Sequence, residues 1–222
     1  MLCVAINLEK YPMMLAQIAD YPQISASVGV HPMADLKTPL NADDLKALST
    51  NSKVVAIGET GLDYYYHKGD TQEQQERFHT HIQIANDVNK PIIVHTRDAG
   101  QDTLKTLRNE NAEKCSGVIH CFTETMEFAD KAMELGFMIS FSGIITFKAA
   151  DALREVAKHI PDDKLLIETD SPYLAPVPYR GKQNMPSLVR HVAESLAEVR
   201  NTSVEHIAKI TKDNYYRLFG NK

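Results

Sequence analysis

No tryptophan, no Cys-x-x-Cys pair and no long apolar run occurs in these 222 residues. The three cysteines, Cys3, Cys115 and Cys121, are odd in number and scattered, which argues against a disulfide framework or a zinc knuckle and fits a reducing compartment. A membrane span needs ~18 consecutive apolar residues. Neither such a run nor a charged leader ahead of a short apolar stretch is present, so a cytoplasmic protein without a membrane partner is expected. A basic surplus is missing too: 24 Lys and Arg stand against 29 Asp and Glu, a net charge of −5. No basic face therefore advertises a polyanion. If one is bound, metal ions are the charges that can supply the attraction.

What the chain does have is alternation. Short β-branched runs at 2–6, 24–30, 54–58, 92–95, 117–120, 137–141 and 165–169 are separated by stretches with apolar residues at helical spacing. Those stretches cover 12–20, 42–48, 72–88, 98–109, 124–135 and 149–159; a Pro-rich segment, 172–186, and two closing helices, 187–200 and 203–219, follow. Strand–helix repetition predicts a parallel sheet covered by helices, an α/β fold of TIM-type (β/α) barrel class, in one domain over residues 1–222. Eight units take ~250 residues, so this length falls short by about one, and the missing first strand–helix unit is expected at the N-terminus. An open doubly wound sheet is the alternative and requires strand order to reverse.

Four ligand-type residues close four of the runs: Glu59, His95, His120 and Asp170. In a (β/α) barrel, reacting groups project from the C-terminal ends of different strands. Alternation along a strand sets Glu59 in line with Val55 and Ile57, His95 with Ile93, His120 with Val118, and Asp170 with Leu166 and Glu168. Each alone is explained without function: Glu59 by turn amides between Gly58 and Gly61, either histidine as a satisfied core residue, Asp170 as a turn cap. Their coincidence at equivalent strand ends points to one divalent-metal site. Barrel hydrolases of this kind open with His-x-His on the first strand, and residues 1–7 have none. His79-Thr80-His81 lies in a helical stretch, where residues two apart face different sides, and is no substitute. Cys121 is expected to face the helices as a small buried hydrophobe, and Glu168 to bond within the barrel mouth.

The blocks Gly58-Glu59-Thr60-Gly61-Leu62-Asp63-Tyr64, Val94-His95-Thr96-Arg97, Ile119-His120-Cys121-Phe122-Thr123 and Leu166 through Leu174 resemble the TatD family of metal-dependent deoxyribonucleases, in the amidohydrolase superfamily. Gly29-Val30-His31-Pro32 and Pro178 through Asn184 do so as well, and the likeness covers essentially the whole chain. It implies a DNA substrate, hydrolysis of phosphodiester bonds as a 3′-to-5′ exonuclease, and Mg²⁺, with Mn²⁺ or Zn²⁺ as alternatives and up to two ions in the complete site. It also implies roles: Glu59 bridges the metals, His95 and His120 hold one, and Asp170 binds the other and orients water. His31 would lie near the substrate phosphate, and Arg97 would contact it as a donor fork. The absent His-x-His weakens the ion that Asp170 contacts, so reduced activity is expected.

Two rivals remain open at this point. One is a lactonase- or amidase-type hydrolase on the same scaffold; Glu59, where such enzymes often use a modified lysine, favours the nuclease. The other is an impaired remnant, whose exposed strand edges leave a monomer and a weak dimer both open. Tyr64-Tyr65-Tyr66 is read as packing its loop, with base stacking the alternative, and Arg180 and Lys182 as solvated or phosphate-reaching.

Overall fold

A computed structural model describes residues 1–35, 40–66 and 71–220. Seven strands and eight α-helices alternate among them, at the places the apolar periodicity indicates. In chain order they are β1 (Leu2–Cys3), α1 (Tyr11–Ile18), β2 (Ser25–Val28), α2 (Ala42–Leu48), β3 (Val54–Asp63), α3 (Gln72–Val88), β4 (Ile92–Arg97), α4 (Gly100–Asn109) and β5 (Gly117–Ile119). Then follow α5 (Met126–Glu134), β6 (Met138–Phe141), α6 (Asp151–His159), β7 (Leu165–Ile167), α7 (Val189–Val199) and α8 (Val204–Phe219). No helix among the described residues is long and apolar enough to cross a membrane.

The chain divides into two compact units, residues Met1–Val118 with Phe219 onward, and Ile119–Leu218. In the first, β1 to β4 pair in chain order and in parallel, without the reversal a doubly wound sheet needs. Helix α3 buries Gln74, Arg77, Phe78, His81, Ile82, Ile84 and Ala85, the stripe that 3.6-residue periodicity produces. It stops at Asn89, which adopts the left-handed conformation (φ 51°), and Pro91 follows. Asn41 starts α2 by accepting the amides of Asp43 and Asp44 at 2.9 and 3.4 Å.

Strand β3 departs from the expected outline. Gly58 and Gly61 do not end it; it runs ten residues, all buried, to Asp63, so Glu59 lies inside the strand and not at its end. Between Ile57 and Thr60, β3 advances three residues while β4 advances two, from Ile92 to Val94. This bulge breaks the simple alternation and re-aims Glu59. The glycines make it fit: a Cβ on Gly29 would lie 2.5 Å from Gly58 Cα, and one on Gly61 (φ 139°) would run into the His95 carbonyl.

In the second unit β6 pairs with β7 in parallel, with Ile139 opposite Leu165 and Phe141 opposite Ile167. Phe122, Phe137 and Phe141 are fully buried there, each contributing roughly 1.5–3 kcal/mol by leaving water. Asn214 secures the start of β7 by donating to the carbonyls of Asp162 and Leu165 at 2.7 and 2.8 Å.

Candidate functional site

Ligand-type side chains gather in two groups, one in each unit: His31, Glu59 and His95, and His120, Glu168 and Asp170. Within each, one donor atom per residue lies within 4.8 Å of the others. The structure therefore sets His120 beside Asp170 and Glu168, and sets Glu59 and His95 beside His31.

In the first group Glu59 is almost buried, at 7% exposure, and its Oε1 lies 3.2 Å from His95 Nδ1 and 3.3 Å from His31 Nε2. The Glu59 amide donates to the Ala5 carbonyl at 3.0 Å, and the Ser27 hydroxyl holds the preceding Gly58 carbonyl, so the bulge is fixed from β2 and the chain after β1. His31 follows β2 on a turn that α3 clamps. Arg77 donates to the carbonyls of His31, Pro32 and Ala34 at 3.0–3.3 Å, and His81 Nε2 accepts the Val30 amide at 3.0 Å.

Hydrogen bonds assign the ring protons. The Met33 amide donates to His31 Nδ1 at 3.1 Å, so a neutral His31 carries its proton on Nε2 and presents a donor, not a metal lone pair. His95 Nε2 lies 3.1 Å from Asp63 Oδ2, while Asp63 Oδ1 accepts the amides of Tyr65 and Tyr66 at 3.0 Å. Burial would raise the Asp63 carboxyl, but the His95 bond, the Tyr66 amide and the nearby charges of His95 and Arg97 hold it below the usual range. An anionic Asp63 takes Nε2–H and leaves the lone pair on Nδ1, facing Glu59. Two lone-pair atoms 3.2 Å apart match adjacent ligands of an octahedral ion, which at ~2.1 Å bonds lie about 3 Å apart. The residues fit a divalent cation.

The second group is built from turns. His120 follows β5, and its Nδ1 lies 3.1 Å from Glu168 Oε1; Glu168 Oε2 accepts the Cys121 amide at 3.1 Å. Cys121 and Asp170 both have positive φ, 46° and 58°, a conformation that costs non-glycine residues on the order of 1 kcal/mol or more and persists where the surroundings enforce it. Asn184, 3% exposed, enforces it at Asp170: its side-chain amide donates to the carbonyls of Thr169 and Tyr173 at 2.7 and 2.6 Å, one on each side. The Cys121 Sγ lies 3.2 Å from Ser142 Oγ, and burial around the sulfur and the Glu168 charge push the thiol up to about 12.

Compared with known proteins, residues 1–220 match the TatD related DNase family. The chain belongs to the TatD family. It is 51% identical over 218 residues to the uncharacterized metal-dependent hydrolase YcfH of Escherichia coli K12, covering 98% of this chain and 82% of that one. It is 46% identical to the uncharacterized metal-dependent hydrolase YabD of Bacillus subtilis, covering 92% and 81%. The crystal structure of YJJV, a TatD homologue of E. coli K12, superposes on all of this chain and 86% of its own with a TM-score of 0.92 at 28% identity. An organophosphorus hydrolase mutant from Deinococcus radiodurans, 16% identical over 94% of this chain and 75% of its own, shares the fold at a TM-score of 0.66. This TatD-family chain is thus a metal-dependent hydrolase with a TIM-type (β/α) barrel fold.

Other sequence expectations meet definite surroundings. Arg97 stacks its guanidinium over Tyr65, 4.0 Å from the ring centre. Arg180 lies over the Phe147 ring at 3.8 Å. His79 bonds Glu110 at 2.8 Å, and His81 is spent on Val30 and the Arg77 carbonyl, so the two point to separate partners. Asp63 and Asn184 lie in blocks that resemble the family but were given no role from the sequence, and Arg77 was not singled out. The one signal for Asp63 was its two-residue spacing from Gly61, visible only once β3 is known to continue.

Proposed function

We propose that this TatD-family hydrolase cleaves phosphodiester bonds of DNA with Mg²⁺, releasing nucleotides from the 3′ end. Glu59 with His95, and Asp170 with His120 and Glu168, are the ligand sets. A bound divalent ion supplies positive charge that polarises a phosphoryl oxygen and acidifies water. The observation carrying the reading is the His31 tautomer: an Nε2–H donor beside Glu59 Oε1 at 3.3 Å, fixed by the Met33 amide, suits an anionic oxygen. His31 then donates to a non-bridging phosphate oxygen, and Asp63 keeps the His95 ring oriented. Asp170 accepts a proton from the attacking water, a role that typically contributes ~10²–10⁴-fold.

The test is Mg²⁺-dependent cleavage of single-stranded DNA labelled at its 3′ end or its 5′ end. Immediate release of the 3′ label and stepwise shortening of the 5′-labelled strand are expected, with Asp170→Asn slower by ~10²–10⁴-fold and unchanged in circular dichroism. Turnover of a lactone or carboxylic ester with no cleavage of DNA or bis(nitrophenyl) phosphate would overturn the reading.

A further inference from the structure

The three consecutive tyrosines after β3 behave differently. The Tyr64 hydroxyl donates to Asp102 Oδ2 at 2.9 Å and accepts from Gln75 at 3.1 Å, anchoring the turn to α3 and α4. Tyr65 and Tyr66 are 47% and 63% exposed, edge to face with ring centres 4.8 Å apart. Anchoring is accomplished by Tyr64, so packing the turn does not account for two neighbouring rings held out in water. Arg97 lies over both, 4.0 Å from the Tyr65 centre and 4.8 Å from that of Tyr66, and stiffens them through cation–π contact. Both ring-bearing residues are also tied by their amides to Asp63 Oδ1, the carboxylate whose other oxygen meets His95. One side chain thus links the aromatic pair to the His31–Glu59–His95 group.

We propose that Tyr65 and Tyr66, stiffened by Arg97, seat a nucleobase of a single-stranded DNA end, a proposal that rests on the phosphodiesterase reading above. The chemistry selects this ligand. Exposed rings take a flat aromatic group of any sequence, since every base has a π-face. His31 supplies the adjoining donor for an anionic oxygen, and a base linked to a phosphate satisfies both. In a chain of net charge −5, stacking also provides affinity that general electrostatics does not.

The experiment uses the full chain in Mg²⁺ and fluorescence anisotropy with a short phosphorothioate single strand, which resists cleavage, beside an abasic strand of the same length. Tyr65→Leu and Tyr66→Leu each weaken binding of the base-bearing strand by about tenfold and leave the abasic strand unaffected. Equal losses on both strands, no loss on either, or no binding by the unaltered chain would overturn the seat. Binding that depends on the rings, without cutting of ordinary DNA, would overturn the hydrolytic reading alone. Cutting with ring-independent binding would overturn the seat alone.

Discussion

The two donor groups use the same chemical device on different scaffolds. In each, a carboxylate holds one imidazole nitrogen with one oxygen and backbone amide with the other: Asp63 for His95 and the amides of Tyr65 and Tyr66, Glu168 for His120 and the amide of Cys121. In the first group Glu59 and His95 sit within strands, Glu59 buried in a bulge, and His31 alone lies on the turn after β2. The second sits on turns, with half-buried side chains and two backbones at positive φ. In the first, Asp63 orients His95 and Glu59 is the candidate carboxylate ligand; in the second, Glu168 both orients His120 and belongs to the candidate ligand group. A strand-borne site takes its precision from sheet register, whereas a turn-borne one needs dedicated clamps such as Asn184.

The largest expected effect probes the strand scaffold. Gly61→Ala forces a Cβ into the His95 carbonyl at φ 139°, combining backbone strain with overpacking, together about 4 kcal/mol. Urea denaturation should register that loss. In the turn-borne group, Asp170→Gly relaxes a positive φ instead of clashing, so it removes a ligand without a comparable loss of stability. If both substitutions destabilise equally, the contrast between scaffolds fails.

A smaller effect follows from pH. His81, fully buried, is pushed down to about 4 chiefly by loss of hydration, against an ordinary value of 6.5. The unfolded chain therefore binds this proton first as pH falls. The contribution is intact above about 6.5 and is lost progressively toward pH 4, about 3 kcal/mol in all. Because His81 secures the Val30 amide just before His31, the loss falls on the first group's unit. His81→Gln should be less stable at pH 7 and should flatten the slope of stability between pH 6.5 and 4; an unchanged slope would remove His81 from this account.

Much of this was legible from periodicity. Among the described residues every strand and α-helix overlaps the span that apolar runs and helical spacing placed, because those patterns are the burial pattern itself, although β3 runs five residues further, to Asp63. Glu59, His95, His120 and Asp170 were visible as ligand types closing apolar runs. The bulge was not, since Gly58 and Gly61 resemble turn glycines until the close approach of Gly29 and the His95 carbonyl is known. Asp63 and Asn184 stayed hidden because they act through hydrogen bonds to residues 32 and 15 or fewer positions away, which no local pattern encodes.

The finest prediction sets the two orienting carboxylates against each other. In Asp63→Asn, the single remaining acceptor oxygen is claimed by the Tyr65 and Tyr66 amides, so the new NH₂ faces His95 Nε2. Nε2 must then accept, the proton moves to Nδ1, and the lone pair facing Glu59 is lost. Glu168→Gln does the same to His120, because the Cys121 amide claims the oxygen. Loss of such an orienting partner typically costs ~10–100-fold in metal affinity. Mn²⁺ titration followed by electron paramagnetic resonance should show each substitution weakening its own group. Glu168→Gln should cost more, since it also replaces a member of the ligand set. In the metal-free protein, ¹⁵N–¹H correlation spectra should show the His95 and His120 protons changing nitrogens. Unchanged tautomers with weakened Mn²⁺ binding would mean that these carboxylates act by charge alone, and the shared device would reduce to simple electrostatics.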